Sequence, residues 1–278
     1  LPEAVRRRLS PEATALALHA PARAGTPAQL LRRRAAARVV ITGRSRLGAP
    51  VAVALAQSGV GHVFGDLAGQ VTVAETAGGP LVPADAERPR SVAVAEAVRR
   101  AAPDTEVGPV RRGHAAIVVV LGHDRPAALL AAAYAQRRQA HLALAVRDGV
   151  AVVGPLVTPA GGPCLNCLDL HRRDRDPQWP QVAAQLAPGA GEHAEPCTVP
   201  TLLSAAAYAA AEVLAYLDRG CTGLVGGALE ITSPGSTRRR TWPPHPRCPC
   251  RPGRGTAPTS RDEEKRHSGG KHPRPVRS

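Results

Sequence analysis

The chain of 278 residues, 44% apolar and 2% aromatic, can bury the core of one large α/β domain with a small appendage, which excludes a wholly disordered protein. Its net charge of +14 sits mainly at the ends. Residues 1–38 hold eight Arg against two Glu and residues 251–278 hold eight basic against three acidic residues, leaving +3 between them, without the basic stripes of a sequence-specific nucleic-acid surface.

Residues 1–37, rich in Ala and Arg with Pro breaks, are expected to form an N-terminal basic arm. The β-branched run Arg38-Val39-Val40-Ile41-Thr42 passes through Gly43-Arg44-Ser45-Arg46-Leu47-Gly48 into a helical pattern over 49–58, so strand, turn and helix follow one another. A second strand is predicted from Val60 to Phe64, stopping at Gly65-Asp66. A helix over 89–101 follows, then a fully buried strand at Ile117-Val118-Val119-Val120-Leu121 that ends in Gly122-His123-Asp124. Helix 126–138 and strand 141–146 continue the alternation, which predicts a doubly wound, mostly parallel Rossmann-like sheet.

Beyond residue 147 the rhythm changes to a strand at 150–157, a Gly/Pro-rich turn at 159–163, a polar stretch at 169–196, an Ala-rich helix near 200–217 and a strand at 225–231. The segment from Arg238 to Cys250 closes the ordered part. No internal repeat is visible. Residues 38–250 are read as one nucleotide-binding domain whose lobe from about 148 to 250 is held by zinc, and 251–278, rich in Pro, Gly, Ser and charge, as a disordered basic tail. With no run of eighteen apolar residues and no signal-type apolar segment in the first thirty, a soluble cytoplasmic protein is expected.

The turn Gly43-x-Ser45-x-x-Gly48 stands where a dinucleotide fold places its phosphates. The first Gly permits the tight turn, the last permits close packing of helix on strand, and the helix N-terminus attracts an anion. Ser45 replaces the middle Gly and brings a hydroxyl that can donate a hydrogen bond. Asp66 lies near the offset of about twenty residues at which an acid takes ribose hydroxyls. Asp124, at the end of a buried strand, faces the crevice and is a candidate ligand for Mg2+ on a triphosphate. The plainer reading is a tight βα turn, a helix-capping Asp66 and a solvated Asp124.

Six Cys are too few for a disulfide scaffold in a chain this long, so paired Cys read as metal ligands. Cys164-Leu165-Asn166-Cys167 and Cys248-Pro249-Cys250 supply four thiolates from two distant knuckles, the donor set of a structural zinc site. A redox CxxC and buried free thiols are the alternatives; a redox pair should open a helix beside a thioredoxin-like pattern. His171 and His245 are spare ligand candidates that a filled four-Cys shell does not need, and Cys197 and Cys221 stand alone as buried or capping residues.

Together the turn 43–48, Gly65-Asp66, the stretch Asp85-x-x-Arg88-Pro89-Arg90, the strand end Val119-Val120-Leu121-Gly122-His123-Asp124, and Pro163-Cys164-Leu165-x-Cys167 with the late Cys pair resemble the ThiF/MoeB/HesA adenylyltransferase family. That family is related to ubiquitin-activating enzymes, and the resemblance spans about residues 36–250. The string from Cys164 to Pro180 further resembles actinobacterial members, some of which accompany cyclodehydratases that make azole-containing peptides. The resemblance implies an ATP-dependent enzyme that activates the C-terminal carboxylate of a small protein or peptide as an acyl-adenylate, with ATP, Mg2+ and Zn2+ as cofactors and homodimers as a possible assembly. It further implies that Asp66 holds ribose, Asp124 holds Mg2+ and Arg90 stands where relatives usually carry a phosphate-contacting Lys. The chain departs from the family in lacking its Asn and Arg between Asp66 and Arg88, and in having no Lys before the tail. A catalytically degenerate scaffold that binds a peptide for a partner cyclodehydratase is therefore the second reading. An NAD(P)-dependent oxidoreductase, which uses the same turn but leaves the cysteines unexplained, is the third.

Overall fold

The computed structural model describes residues 2–19, 24–111, 113–122, 126–186 and 195–250; His123, Asp124 and the tail 251–278 lie outside the described residues. The predicted alternation is present as β1 (Arg38–Gly43), α4 (Gly48–Gln57), β2 (His62–Leu67), α5 (Arg90–Ala101), β3 (Ile117–Leu121), α6 (Ala127–Gln136) and β4 (His141–Arg147). Three helices precede it, α1 (Glu3–Arg8), α2 (Ser10–His19) and α3 (Pro27–Ala36). It is followed by β5 (Val150–Val157), α7 (Leu165–Arg175), α8 (Trp179–Leu186), α9 (Val199–Arg219), β6 (Gly227–Ser233) and β7 (Ser236–Thr241).

The strands form one sheet in the order β2-β1-β3-β4-β5-β6-β7. The first four are parallel and the remaining pairings antiparallel, so the mostly parallel reading holds for the half before residue 147. The physical reason for the switch is connection length. Parallel neighbours need a crossover helix, whereas β4 and β5 are joined by Asp148-Gly149 alone, both at positive φ (50° and 80°), as a tight two-residue hairpin requires. All five residues of β3 are buried, as expected of a parallel strand covered on both faces. β7, by contrast, is a polar edge strand, Ser-Thr-Arg-Arg-Arg-Thr, whose charge discourages further strand pairing.

Beside β2, Glu106 makes a single parallel bridge to His62, while β3 lies on the other side of β1. Strands thus run outward from β1 in both directions, and the crevice of a doubly wound sheet opens at the carboxyl ends of β1 and β3. The main core joins β1–β5 to α4, α5 and α9. A second apolar cluster, with Ala131 of α6, Ala143 of β4 and Leu165 of α7, and with Leu170 packed against it, lies on the opposite face together with the cysteines. The stripe Leu202, Ala205, Ala206, Ala209, Ala210 and Val213 of α9 is buried in the main core. Helix α9 is long and apolar enough, by length and composition, to cross a membrane, but this stripe packs against the sheet and α4.

The residues read as a basic arm are helical and docked. Val5, Leu9 and Leu31 share a small apolar cluster, and Thr26 caps α3 reciprocally with Gln29. Arg34, 3% exposed, pairs through Nε and Nη2 with both oxygens of Asp218 on α9 at 2.9 and 2.6 Å, and its Nη1 reaches Glu12 at 2.5 Å. Arg8 pairs with Asp104 at 2.8 Å. Part of the positive charge near the N-terminus is thereby neutralised inside the fold.

Candidate functional site

β1 ends where three strand termini meet: Gly43 is in register with Leu67 of β2 and Leu121 of β3. Its φ of 106° suits glycine, and a Cβ there would lie 2.2 Å from the Leu121 carbonyl oxygen, so any side chain is excluded. At Gly48 a Cβ would come within 3.0 Å of Leu121 Cδ1, which is the close seating of α4 on the strands that the sequence spacing predicted. Between them Ser45 is buried; its hydroxyl accepts from the Leu47 amide at 3.1 Å, and its carbonyl accepts from the Gly48 amide at 3.1 Å.

This turn already holds an anion. The Glu195 carboxylate accepts from the Ser45 hydroxyl at 2.7 Å and, on the same oxygen, from the Arg46 amide at 2.9 Å. The Arg46 guanidinium reaches back to the carbonyls of Glu195 at 3.2 Å and Cys197 at 2.9 Å, tying the 195–197 segment across the turn. A carboxylate held by a hydroxyl and an amide at a helix N-terminus is where a phosphate is held in a dinucleotide fold. Burial pushes the Glu195 carboxyl above its ordinary range, while Ser45 and Arg46 pull it back down.

Asp66 is exposed near the end of β2, directly beside Thr42 of β1 and so about 5 Å, one strand spacing, from the base of the turn. Arg90 is engaged elsewhere than at the turn. It is 3% exposed; its Nε and Nη2 donate to the two Glu75 oxygens at 2.8 and 2.9 Å, Nη2 also donates to the Gln70 carbonyl, and Nη1 to that of Ala68. With four of its five N–H donors engaged, Arg90 fastens the loop that follows Asp66. Glu75 in turn caps that loop by accepting from the Thr72 amide at 2.7 Å.

The four paired cysteines converge. Cys164 lies at the N-cap of α7 and Cys167 within its first turn, and Cys248 and Cys250 return after β7. All four Sγ atoms lie within 4.8 Å of one another, with Cys164–Cys248 at 3.6 Å and Cys167–Cys250 at 3.3 Å. Four sulfurs around one tetrahedral zinc would stand about 3.8 Å apart, so the donor set fits that ion. Burial pushes the Cys164 thiol up to about 11, so a dication is what would make this ligand a thiolate. The Asn166 amide donates to Cys248 Sγ at 3.3 Å, an outer contact suited to a metal-bound thiolate.

The two histidines belong to the support of this knuckle. His245, 2% exposed, sets Nε2 2.8 Å from Asp174 Oδ2 and meets the His171 ring edge to face at 4.7 Å. Cys197 is half-buried at the edge of the main core, and Cys221, read as buried or capping, is exposed instead. Sequence reasoning missed Glu195, Arg46 and Glu75. An N-terminal capping box at Thr72-x-x-Glu75 was legible, whereas Glu195 lies 149 positions from the Arg46 amide that it meets and has no local signature.

No family model matches the sequence, and no curated protein matches it either. Comparison of folds finds likenesses among solved structures. E. coli MccB with ATP aligns at a TM-score of 0.64 and 19% identity, over 81% of this chain and 70% of that one. The microcin C7 biosynthetic enzyme MccB in complex with N-formylated MccA aligns at 0.63 and 18%, over 81% and 70%. PaaA aligns at 0.68 and 16%, over 87% of this chain and 84% of that one. Identities this low establish a shared fold.

Proposed function

We propose that the protein is an ATP-dependent adenylyltransferase of the ThiF type that activates the C-terminal carboxylate of a peptide. The observation that carries this reading is the glycine turn seating a carboxylate at the N-terminus of α4, one strand away from Asp66. It is supported by the fold likeness to MccB, structures of which contain ATP and the peptide MccA. In this reading the Ser45 hydroxyl and Arg46 amide hold a nucleotide phosphate after Glu195 withdraws, and Asp66 accepts from the ribose hydroxyls. Arg90, by fixing the 68–75 loop through Glu75, positions Asp66 and acts on charge only from behind that loop.

The step is an in-line displacement. A carboxylate oxygen of the peptide bonds to the α-phosphorus, the bond from that phosphorus to the bridging oxygen breaks, and pyrophosphate leaves with the electron pair. Asp124 is the proposed Mg2+ ligand. Zinc, held by Cys164, Cys167, Cys248 and Cys250, has a structural role, with every ligand position filled by protein. The test is peptide-dependent exchange of labelled pyrophosphate into ATP, with MccA and peptides encoded beside this chain as probes. Exchange that needs both peptide and Ser45 is expected; a folded, zinc-loaded protein that neither exchanges pyrophosphate nor gains melting temperature with ATP removes the enzymatic reading.

Two observations favour the scaffold reading. Glu195 fills the anion seat and the chain itself engages Arg90, so the fold has a way of satisfying its glycine turn without nucleotide. In that case a peptide, and a cyclodehydratase-type partner, would bind with an affinity indifferent to ATP.

A further inference from the structure

The face of the sheet opposite α9 carries a second positive site that the adenylation chemistry does not use. Alternation along β4 sends Leu142 and Leu144 into the main core and Ala143 into the cluster beside α7, which places Arg147, the last residue of β4, on the α7 face. On the same grounds Leu229 and Ile231 of β6 turn to the main core, while Glu230, with Arg238 opposite it in register, takes the α7 face. Arg172 of α7 stands over this surface, its guanidinium carbon 4.8 Å from the centre of the Trp179 ring. The Trp179 indole donates to Asp169 Oδ1 at 2.6 Å.

The charges here are not balanced. Glu230 is paired with Arg240 at 2.5 Å and Asp169 accepts from Trp179, whereas among the described residues neither Arg147 nor Arg172 has a carboxylate oxygen within ion-pair distance. Asp148, exposed beside Arg147, acts on it only at longer range. Both residues are half-buried; Arg147 and Arg240 disfavour the charge on Arg172, and Asp169 and Glu230 offset them only in part. Burial, then the neighbouring Arg147, brings Arg172 down to about 10, which leaves it charged at neutral pH but poorly solvated. An unpaired, partly desolvated charge is unfavourable until an anion arrives, and a guanidinium fork matches a carboxylate in two bonds.

We propose that Arg147 and Arg172 form a recognition site for an acidic side chain of the peptide substrate, lying upstream of the carboxylate that is activated. The inference rests on the peptide reading above and names the substrate class. Register sets the spacing: Gly43 aligns with Leu121, Leu121 with Leu144, and Arg147 lies three residues farther on. Two strand spacings across and three residues along give a separation of about 14 Å, or about four extended residues. The acidic residue should therefore stand about four positions before the C-terminus. Nucleic acid is disfavoured as the occupant because two guanidiniums make a point contact and not a phosphate track, and the face of Trp179 is already covered by Arg172.

The experiment uses two fluorescein-labelled octapeptides of Gly and Ser, one with Glu at the fourth and fifth positions from its C-terminus and the other with Gln there. Polarisation at low salt reads binding to the full chain. The Glu peptide is expected to bind at least about tenfold more tightly, and Arg147→Gln/Arg172→Gln to abolish that preference while Arg147→Lys/Arg172→Lys keeps part of it. Equal binding of the two peptides, or a preference that survives the double Gln variant, overturns the proposal. So does a single-stranded DNA octamer that binds more tightly than the Glu peptide and through the same arginines. If Arg172→Gln unfolds through loss of the Trp179 contact, Arg147→Gln alone carries the test. Its melting temperature should be no lower than that of the parent, since it relieves repulsion. A Glu preference without any ATP-induced rise in melting temperature would sink the nucleotide reading and leave this site standing.

Discussion

Glu195→Ala empties the glycine turn of its internal anion, and its effect on nucleotide affinity can be worked out from the structure. The carboxylate makes two hydrogen bonds on one oxygen, to Ser45 and to the Arg46 amide, and burial of the charge opposes them. While the carboxyl is protonated, two bonds of about 1 kcal/mol each close the seat by about 1.5–2.5 kcal/mol, and by less once it ionises, because burial outweighs the bonds to the charge. A segment closed by that amount is open about 1–10% of the time, and the apparent affinity of a ligand that needs the open form falls by the same fraction. Glu195→Ala should therefore tighten ATP binding by about 10- to 100-fold below the raised Glu195 pKa and by less above it, read by titration calorimetry at both pH values. A folded variant whose ATP affinity is unchanged or weaker would refute the reasoning. The isosteric Glu195→Gln gives the pH signature. Because the folded carboxyl is held above its unfolded value, Glu195 adds stability that is complete below the unfolded carboxylate pKa and is lost as pH rises through the raised folded one. The Gln variant should flatten that part of the stability–pH curve.

Gly43→Ala forces a Cβ to 2.2 Å from the Leu121 carbonyl at a φ of 106°, and should cost more than about 3 kcal/mol in urea unfolding or prevent folding. Metal analysis of the purified chain should return one zinc per molecule, and Cys167→Ser, at a fully buried ligand position, should lose it with a clear drop in melting temperature. Arg34→Met leaves Asp218 buried and unpaired, so a loss of about 3–5 kcal/mol is expected, with early proteolysis in α1–α3 as the local signature. Under the proposed function, Asp66→Ala should raise the KM for ATP while leaving the zinc content at its parental value, which separates ribose binding from folding.

The order of strands and helices from β1 to β4 was determined by the sequence alone, because each apolar run there ends in its own local punctuation. Val39 to Gly43, the wholly apolar Ile117 to Leu121 and the glycines at 43 and 48 state their geometry within a few residues. The cysteine knuckles were legible for a related reason: a chemically rare donor set at fixed spacing has few other uses. Tertiary structure alone decided the features made by residues far apart in the chain. Nothing near Arg90 announces that Glu75 and two carbonyls will engage it, and nothing near Glu195 announces the seat formed by Ser45 and Arg46. The arginines near the N-terminus looked like a charged arm because Asp218 and Asp104, which neutralise two of them, lie 184 and 96 positions away. Periodicity and capping report the bonds that a segment makes with itself, whereas the partner of a charged side chain is chosen only when distant segments pack together.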